Sequence, residues 1–466
     1  MSSKPAWLVF VAAFSVRVFF LHWFPAIFGG DTILRLANRD RILMAYQLPA
    51  LQAAIHAVSW ATVNVLAVRY LMALAGAAGC AGFYLLLRHF LERRAALCGA
   101  LLMIASPFLI QLSIVPYQEV PMLAALAWAF HFFFSGRLAP ASAMLGLACL
   151  TRYEAWVAVP ALAWTWLNER GWTPGRILEA ALLFGWAPLA WMAAHGAIAP
   201  AGTFVVEMPA SAWRLQRYVY LGWITVKNTP PPVVAMAALG IAGVWRARHR
   251  VGVLAAFFAL FLVSVLFSAH GESPDPERYV TARTAALWLA AVVFAAAFTA
   301  ADRPRLGAAL VVAALPWGLW DAHRFLARDT SAPRVQLAYE LARRLDELVG
   351  EGEVAAVLAQ PVAPELAQAY LNKVERRSGS RGLHKARAEL AATDTSPPDY
   401  QRTLVHSRLG RRRLRPAVAP ETRWIAVWSD YSTAPPKGTP VDTIRGGDLR
   451  VAIYQVTPAG GGSGPR

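Results

Sequence analysis

The residues Thr151-Arg152-Tyr153-Glu154 interrupt an apolar stretch, with Ala148-Cys149-Leu150 before them and Ala155-Trp156 after. An arginine and a glutamate at bilayer depth are costly unless they face a cavity or a partner, so this break is a candidate site. Thr151 with Glu154 three residues on also fits a capping box that starts the next helix, and that local role does not exclude the first. Three other stretches place charge at the edges of apolar runs. In Phe28-Gly29-Gly30-Asp31 the glycines let the chain turn sharply, and Asp31 stands at the start of an amphipathic helix with Arg35 one turn on. An N-cap paired with Arg35 accounts for Asp31 as well as chemistry does. Glu119 follows Ser113-Ile114-Val115-Pro116-Tyr117-Gln118 in the opening turn of a helix, where the dipole favours an acid. Arg278 and Tyr279 bring a guanidinium and a phenol to the mouth of a late helix, a position that also suits an interface anchor. Brought together, such groups suit one kind of chemistry. A carboxylate takes the proton of an attacking hydroxyl, while guanidinium and phenol donors hold a phosphate.

The elements that must position these groups are membrane helices. Of the 466 residues 57% are hydrophobic and only 16% charged, which excludes an ordinary soluble protein. Apolar runs fall near residues 5–28, 66–88, 95–113, 118–134, 138–150, 154–168, 177–199, 230–245, 251–269, 280–300 and 306–320, about eleven helices. The fifth and sixth are short and flank the Thr151–Trp156 break. The first run contains Arg17 and lacks a small-residue cleavage site, so it reads as a retained helix and not a signal peptide. With the N-terminus cytoplasmic, every inward loop is basic (Arg88, Arg93 and Arg94; Arg137; Arg170 and Arg176; Arg246, Arg248 and Arg250; Arg303 and Arg305). All the acidic candidates then lie on the outer face.

The net charge of +17 is spread over these loops, where it sets orientation and meets membrane lipids; no nucleic-acid partner is expected. Cys80, Cys98 and Cys149 show no paired spacing, so neither a disulfide framework nor a zinc site is expected. Residues 323–459 are charged and proline-bearing. They read as a small α/β domain outside the membrane, with strands at Val354–Leu358 and Trp424–Trp428 and a hairpin around Gly446-Gly447-Asp448. The basic segment 376–415 is poorly patterned, and 460–466 is a flexible tail. The expected organisation is an α-helical polytopic membrane protein, 1–322, with an amphipathic first outer loop over 29–65, followed by that C-terminal α/β domain.

The order and spacing of these features resemble the GT-C class of integral-membrane glycosyltransferases, in particular the bacterial family-39-like branch related to protein O-mannosyltransferases and the aminoarabinose transferase. The matching elements are Arg17 in the first helix, Gly30-Asp31 opening the first loop, Leu48-Pro49 before the second helix, Ser113 with Tyr117 and Glu119, Thr151-Arg152-Tyr153-Glu154-Ala155-Trp156, and Arg278-Tyr279. They cover most of residues 5–300. The resemblance implies a multi-pass enzyme of the bacterial cytoplasmic membrane that takes a sugar from a polyprenyl-phosphate carrier at the outer face, with inversion. Asp31 would be the catalytic carboxylate and Glu119 a second acid. Arg152, Arg278 and Tyr279 would hold the carrier phosphate, and Arg35, Asp40, Gln52, Tyr117, Tyr153 and Glu154 would line the cavity or bind the acceptor. Many relatives carry a second acid directly after the first-loop aspartate, where this chain has Thr32. The tryptophan-rich signature of oligosaccharyltransferases is missing. No cofactor is called for, and Asp31 with Glu119 alone makes a poor cage for a divalent metal. The aromatic and basic stretch from Thr203 to Asn228 suits either a gate over the donor or a headgroup anchor. A secondary transporter or lipid flippase, with Arg152 and Glu154 along its path, is the rival reading.

Overall fold

The computed structural model describes residues 4–24, 35, 42, 48–61, 65–198, 229–271, 276–331, 337, 340–341, 344, 347–348, 354–358, 422–428, 439–446 and 449–455. The chain divides into two compact units. The first comprises Met1–Trp23, Ala45–Leu51 and Arg69–Phe325, and the second Phe24–Met44, Gln52–Val68 and Leu326–Arg466.

The apolar runs read from the sequence are helical. In order they are α1 (Lys4–Trp23), α2 (Pro49–Ala61), α3 (Val65–Leu87), α4 (Arg93–Ile104), α5 (Pro107–Ser113), α6 (Glu119–Phe134), α7 (Leu138–Cys149), α8 (Ala158–Arg170), α9 (Pro174–Ile198), α10 (Pro231–Arg246), α11 (Gly252–Gly271), α12 (Pro276–Asp302) and α13 (Pro304–Ser331). Among the described residues, four helices are long and apolar enough to cross a membrane unaided: α1, Leu66–Leu87, Pro174–Ala194 and Pro304–Ala327. The bent pair α4–α5 makes a fifth candidate.

The expected single run over 95–113 is broken, and the local chemistry explains why. Pro107 lacks an N–H and cannot continue the ladder of α4, whereas at the first turn of a new helix that loss costs nothing. The Ser106 hydroxyl accepts from the Leu109 N–H at 3.4 Å, capping α5. The two pieces meet at 60°. That bend carries the chain to the Ser113–Gln118 loop and so to Glu119, the first residue of α6.

Small residues allow close helix contacts elsewhere. The tightest is between α10 and α12, where a Cβ built on Gly240 would lie 1.9 Å from the Ala295 carbonyl oxygen. The Thr299 hydroxyl, buried on α12, donates to the Met236 carbonyl of α10, and Arg246 pairs with Asp302 at the end of the same interface. In a bilayer such backbone approach is what holds helices together, because lipid tails offer as much apolar contact as a leucine.

In the second unit, four strands form a sheet of order β1-β2-β4-β3: β1 (Val354–Leu358), β2 (Thr422–Trp428), β3 (Asp442–Gly446) and β4 (Leu449–Gln455). β1 runs parallel to β2, and the other pairs are antiparallel. Gly446 pairs with Leu449, so β3 and β4 are the two arms of the hairpin read from Gly446-Gly447-Asp448. Ala426, Ile444, Val451 and Ile453 share its buried face.

Gly240→Val inserts a branched side chain where there is no room for a Cβ. Overpacking of this kind costs about 1–3 kcal/mol, so the variant is expected to unfold several degrees below the parent in detergent. An unchanged thermal midpoint would contradict the α10–α12 contact.

Candidate active site

The break at Thr151–Trp156 is built from the ends of α7 and α8. α7 stops at Cys149, and the backbone turns through Leu150 and Thr151 to an extended Arg152 at φ −150° and ψ 145°. From there one 3-10 turn, Tyr153–Val157, leads into α8. The Thr151 hydroxyl donates back to the Leu147 carbonyl at 2.7 Å, and Trp156 Nε1 donates to the Cys149 carbonyl at 2.9 Å, so the last turn of α7 is closed by its own downstream side chains. The Ala50 N–H, in the first turn of α2, donates to the Leu150 carbonyl at 2.9 Å. The capping-box reading of Thr151 and Glu154 does not describe this turn. Thr151 caps α7 from behind, and the Glu154 carboxylate turns to Arg152.

Arg152 is the centre of the site. Its Nη1 donates to Glu119 Oε1 at 2.6 Å, and its Nε and Nη2 fork onto Glu154 Oε2 and Oε1 at 3.0 and 2.7 Å. Only 9% of the Arg152 side chain and 4% of the Glu119 side chain remain exposed. Charge-assisted bonds this short in a medium of low dielectric are strong, and the bidentate fork fixes orientation as well as distance. Expected as a phosphate ligand, Arg152 is found with three of its five N–H donors on two acids.

Tyr153 sits beside this cluster. Its hydroxyl accepts from Trp191 Nε1 of α9 at 3.2 Å, and its ring meets Trp156 edge-on with centroids 5.2 Å apart. Tyr117, half-buried, lies in the turn two residues ahead of Glu119, where its N–H donates to the Val115 carbonyl at 2.8 Å.

The remaining candidates divide. Arg35 and Gln52 are both buried and meet within the second unit, the Gln52 side-chain amide donating to the Arg35 carbonyl at 3.1 Å. Arg278 and Tyr279 fall in the first turn of α12, which begins earlier than expected at Pro276; their side chains lie outside the described residues. Asp31, Asp40 and the 203–228 stretch also lie outside them. Among the described residues, no group of three or more His, Cys, Asp or Glu could hold a metal ion.

Two fully buried arginines surround the start of α6 from behind. Arg17 of α1 donates to the Ser113 hydroxyl at 3.0 Å, and Arg69 of α3 to the Ile114 carbonyl at 2.8 Å. Arg69 escaped the sequence reading, although an arginine inside the 66–88 apolar run is the kind of intramembrane charge that should have flagged it.

An acid–guanidinium–acid cluster at the junction of short apolar helices, on a chain with four or five helices long and apolar enough to cross a membrane among the described residues, fits a multi-pass membrane protein with a polar site. The comparisons with known proteins then give its kind. The model of the dolichyl-phosphate-mannose-protein mannosyltransferase family matches residues 47–198, the stretch that contains Gln52, Tyr117, Glu119 and the Arg152 turn. No curated protein matches the chain. The fold is similar to that of ArnT from Cupriavidus metallidurans in the apo state, with a TM-score of 0.56 and 13% identity over 97% of this chain and 98% of that one. The same protein bound to undecaprenyl phosphate matches over the full length of both chains, again at 0.56 and 13%. The resemblance to GT-C glycosyltransferases expected from the sequence is therefore borne out, with a fold similar to that of ArnT, an aminoarabinose transferase of this class.

Arg152→Gln removes the cation shared by the buried Glu119 carboxylate and the partly buried Glu154 carboxylate. Breaking a buried pair from one side costs about 3–5 kcal/mol, and the variant's thermal midpoint is expected to fall sharply. Adding Glu119→Gln to Arg152→Gln is expected to restore part of the loss. A double variant less stable than the single one would show that the cluster is not held by this charge pairing.

Proposed function

We propose that the chain is a membrane glycosyltransferase that moves a sugar from a polyprenyl-phosphate carrier to an acceptor hydroxyl at the outer face of the bacterial cytoplasmic membrane, with inversion at the anomeric carbon. The observation that carries this reading is the buried Glu119–Arg152–Glu154 cluster within an ArnT-like fold. The ArnT relative binds undecaprenyl phosphate, the kind of carrier the reading requires.

The chemistry is a single displacement. The acceptor oxygen attacks the anomeric carbon as its proton passes to a carboxylate, and the bond from that carbon to the phosphate oxygen breaks with its electron pair going to the phosphate. Phosphate is already a good leaving group, so no covalent enzyme intermediate is needed. Asp31 acts as the general base, with Glu119 as the second acid of the cavity. Arg278 and Tyr279 take up the charge that develops on the departing phosphate, where fixed donors in a water-poor site act more strongly than in bulk solvent.

Arg152 has two tasks in this scheme. Its fork on Glu154 holds the guanidinium rigid, and its third bond sets the rotamer of Glu119. It contributes to binding the carrier phosphate together with Arg278 and Tyr279. The Tyr153 phenol, held from behind by Trp191, offers a hydroxyl to the acceptor. The domain over residues 323–459 lies on the same outer side in this scheme.

The test uses the full chain with a membrane lipid extract containing polyprenyl-phosphate sugars, and follows the release of polyprenyl phosphate by mass spectrometry. General acid–base groups are worth roughly 100- to 10,000-fold, and Asp31→Asn is expected to slow release on that scale. Glu119→Gln is expected to slow it less, and both variants should unfold near the parent's temperature. Release at the parental rate in both would remove the carboxylate mechanism. Movement of intact sugar–lipid across the membrane without release would replace transfer by transport.

A further inference from the structure

The contact between α10 and α12 gathers arginines that the proposed transfer does not use. One turn beyond Gly240, a Cβ built on Gly243 would stand 3.1 Å from Phe298 Cβ and 3.4 Å from Asp302 Oδ2, so the two helices end side by side, joined by the Arg246–Asp302 pair. Arg248, His249 and Arg250 follow α10 directly, and Arg303 and Arg305 flank Pro304 where α12 turns into α13. All five are exposed. Both turns are ordered extensions of their helices: the Arg250 N–H donates to the Ala247 carbonyl at 2.8 Å, and the Arg303 N–H to the Thr299 carbonyl at 2.8 Å. Gly307 then packs on Ala300, where a Cβ would lie 2.5 Å from the Ala300 Cα, and so holds the start of α13 against α12.

Orientation by basic loops needs positive charge on one side of the membrane, but it does not need that charge gathered on two adjoining turns. Asp302 is taken by Arg246, and among the described residues Arg248, Arg250, Arg303 and Arg305 pair with no acid. Directly beside them α10 is bare hydrocarbon. The Arg248 guanidinium lies over the Trp245 ring, 5.2 Å from its centroid. Trp245 itself is 68% exposed and Ile241, one turn deeper, 63%, on the side of α10 that Gly240 and Gly243 turn away from α12. Guanidinium groups at a helix end above an uncovered apolar strip match a phospholipid, with phosphate at the level of the turn and an acyl chain along the strip. A nucleic acid or an acidic peptide would use the charge and leave the strip in water. Each guanidinium can fork onto a phosphate, so the four offer more donors than one phosphodiester can accept.

We propose that the joined ends of α10 and α12 bind a phospholipid carrying two phosphodiesters in one headgroup, the chemistry of cardiolipin. One phosphate sits on Arg248 and Arg250, the other on Arg303 and Arg305, and an acyl chain lies along Trp245 and Ile241. The site uses none of the residues of the Arg152 cluster, and it stands whether or not the transferase reading does.

Equilibrium binding of fluorescent cardiolipin and of fluorescent phosphatidylglycerol to the full chain in detergent tests it. Cardiolipin is expected to bind saturably, close to one per chain, and about tenfold or more tighter than phosphatidylglycerol compared at equal phosphate. Arg248→Gln with Arg250→Gln should weaken cardiolipin binding about tenfold or more. Arg93→Gln with Arg94→Gln, which removes the same charge from the exposed start of α4, should leave it unchanged. Equal affinity of the parent for the two lipids, or uptake that does not saturate, overturns the proposal. So does an equal loss in the two double variants, which would reduce these arginines to the general surface charge that orients the chain. The comparison of lipids uses the unaltered protein, so a variant that fails to fold does not blunt it.

Discussion

A guanidinium held between two carboxylates, nearly out of reach of water, is the interaction on which the polar centre of the first unit depends. Each partner alone would be a liability among apolar helices. Together they satisfy one another at short range, and the geometry of the surrounding backbone follows from the need to bring them together. α7 has to stop at Cys149 and α8 has to restart after a single 3-10 turn, because a continuous helix would put Arg152 and Glu154 on different faces. α4 has to break at Ser106-Pro107 so that the chain can turn through α5 and present Glu119 as the first residue of α6. Short helices, a bend of 60° and an extended arginine are therefore parts of one solution.

The same reasoning accounts for what surrounds the cluster. The Ala50 N–H at the start of α2 is tied to the carbonyl of Leu150, so the start of that helix is anchored at the very turn that carries Arg152. Trp191 reaches from α9 to Tyr153, and Trp156 folds back on Cys149, so the turn is braced by indole N–H donors, groups that bury an apolar body with one polar edge. A site built this way exchanges mobility for precision: the side chain that holds Glu119 is itself held on its other face by Glu154. In a transferase of the proposed kind that rigidity matters, because the carboxylate must be aimed before the donor arrives and cannot rely on water to reorganise around it.

Much of this was legible in the chain because membranes simplify the code. Helices must satisfy their own backbone, so apolar length maps onto elements, and each apolar run contains helix among the described residues. Polar residues inside such runs are so costly that Arg152, Glu154 and Glu119 stand out without any knowledge of the fold. Their pairing was not legible. Thr151 with Glu154 has the spacing of a capping box, and nothing in one sequence says that the glutamate will prefer a guanidinium two residues away, or that a glutamate 33 positions earlier will close on the same group. The break at Ser106-Pro107 was missed because hydropathy does not fall there; the signal was the capping chemistry of Ser-Pro, which a window average erases. The strands at Val354–Leu358 and Trp424–Trp428 were readable as apolar runs, the second beginning two residues earlier in the structure, but their parallel pairing joins segments more than sixty residues apart and depends on contacts no local pattern encodes.

Arg17 and Arg69 mark the limit of reading charge by position alone. Both lie within apolar runs, both are fully buried, and both lean on the Ser113–Ile114 segment that leads to Glu119. A guanidinium has five donors, and a backbone carbonyl or a hydroxyl satisfies a donor without cancelling its charge. Hydrogen-bond satisfaction and electrostatic neutrality are thus separate requirements. Arg152 meets both through its two glutamates, whereas Arg17 meets only the first, through a serine, a carbonyl and a thiol. In a soluble protein, water would soften that difference. Inside a bilayer nothing does so, and among the described residues the Ser113 hydroxyl, the Ala13 carbonyl and the Cys80 thiol are what hold that charge in place.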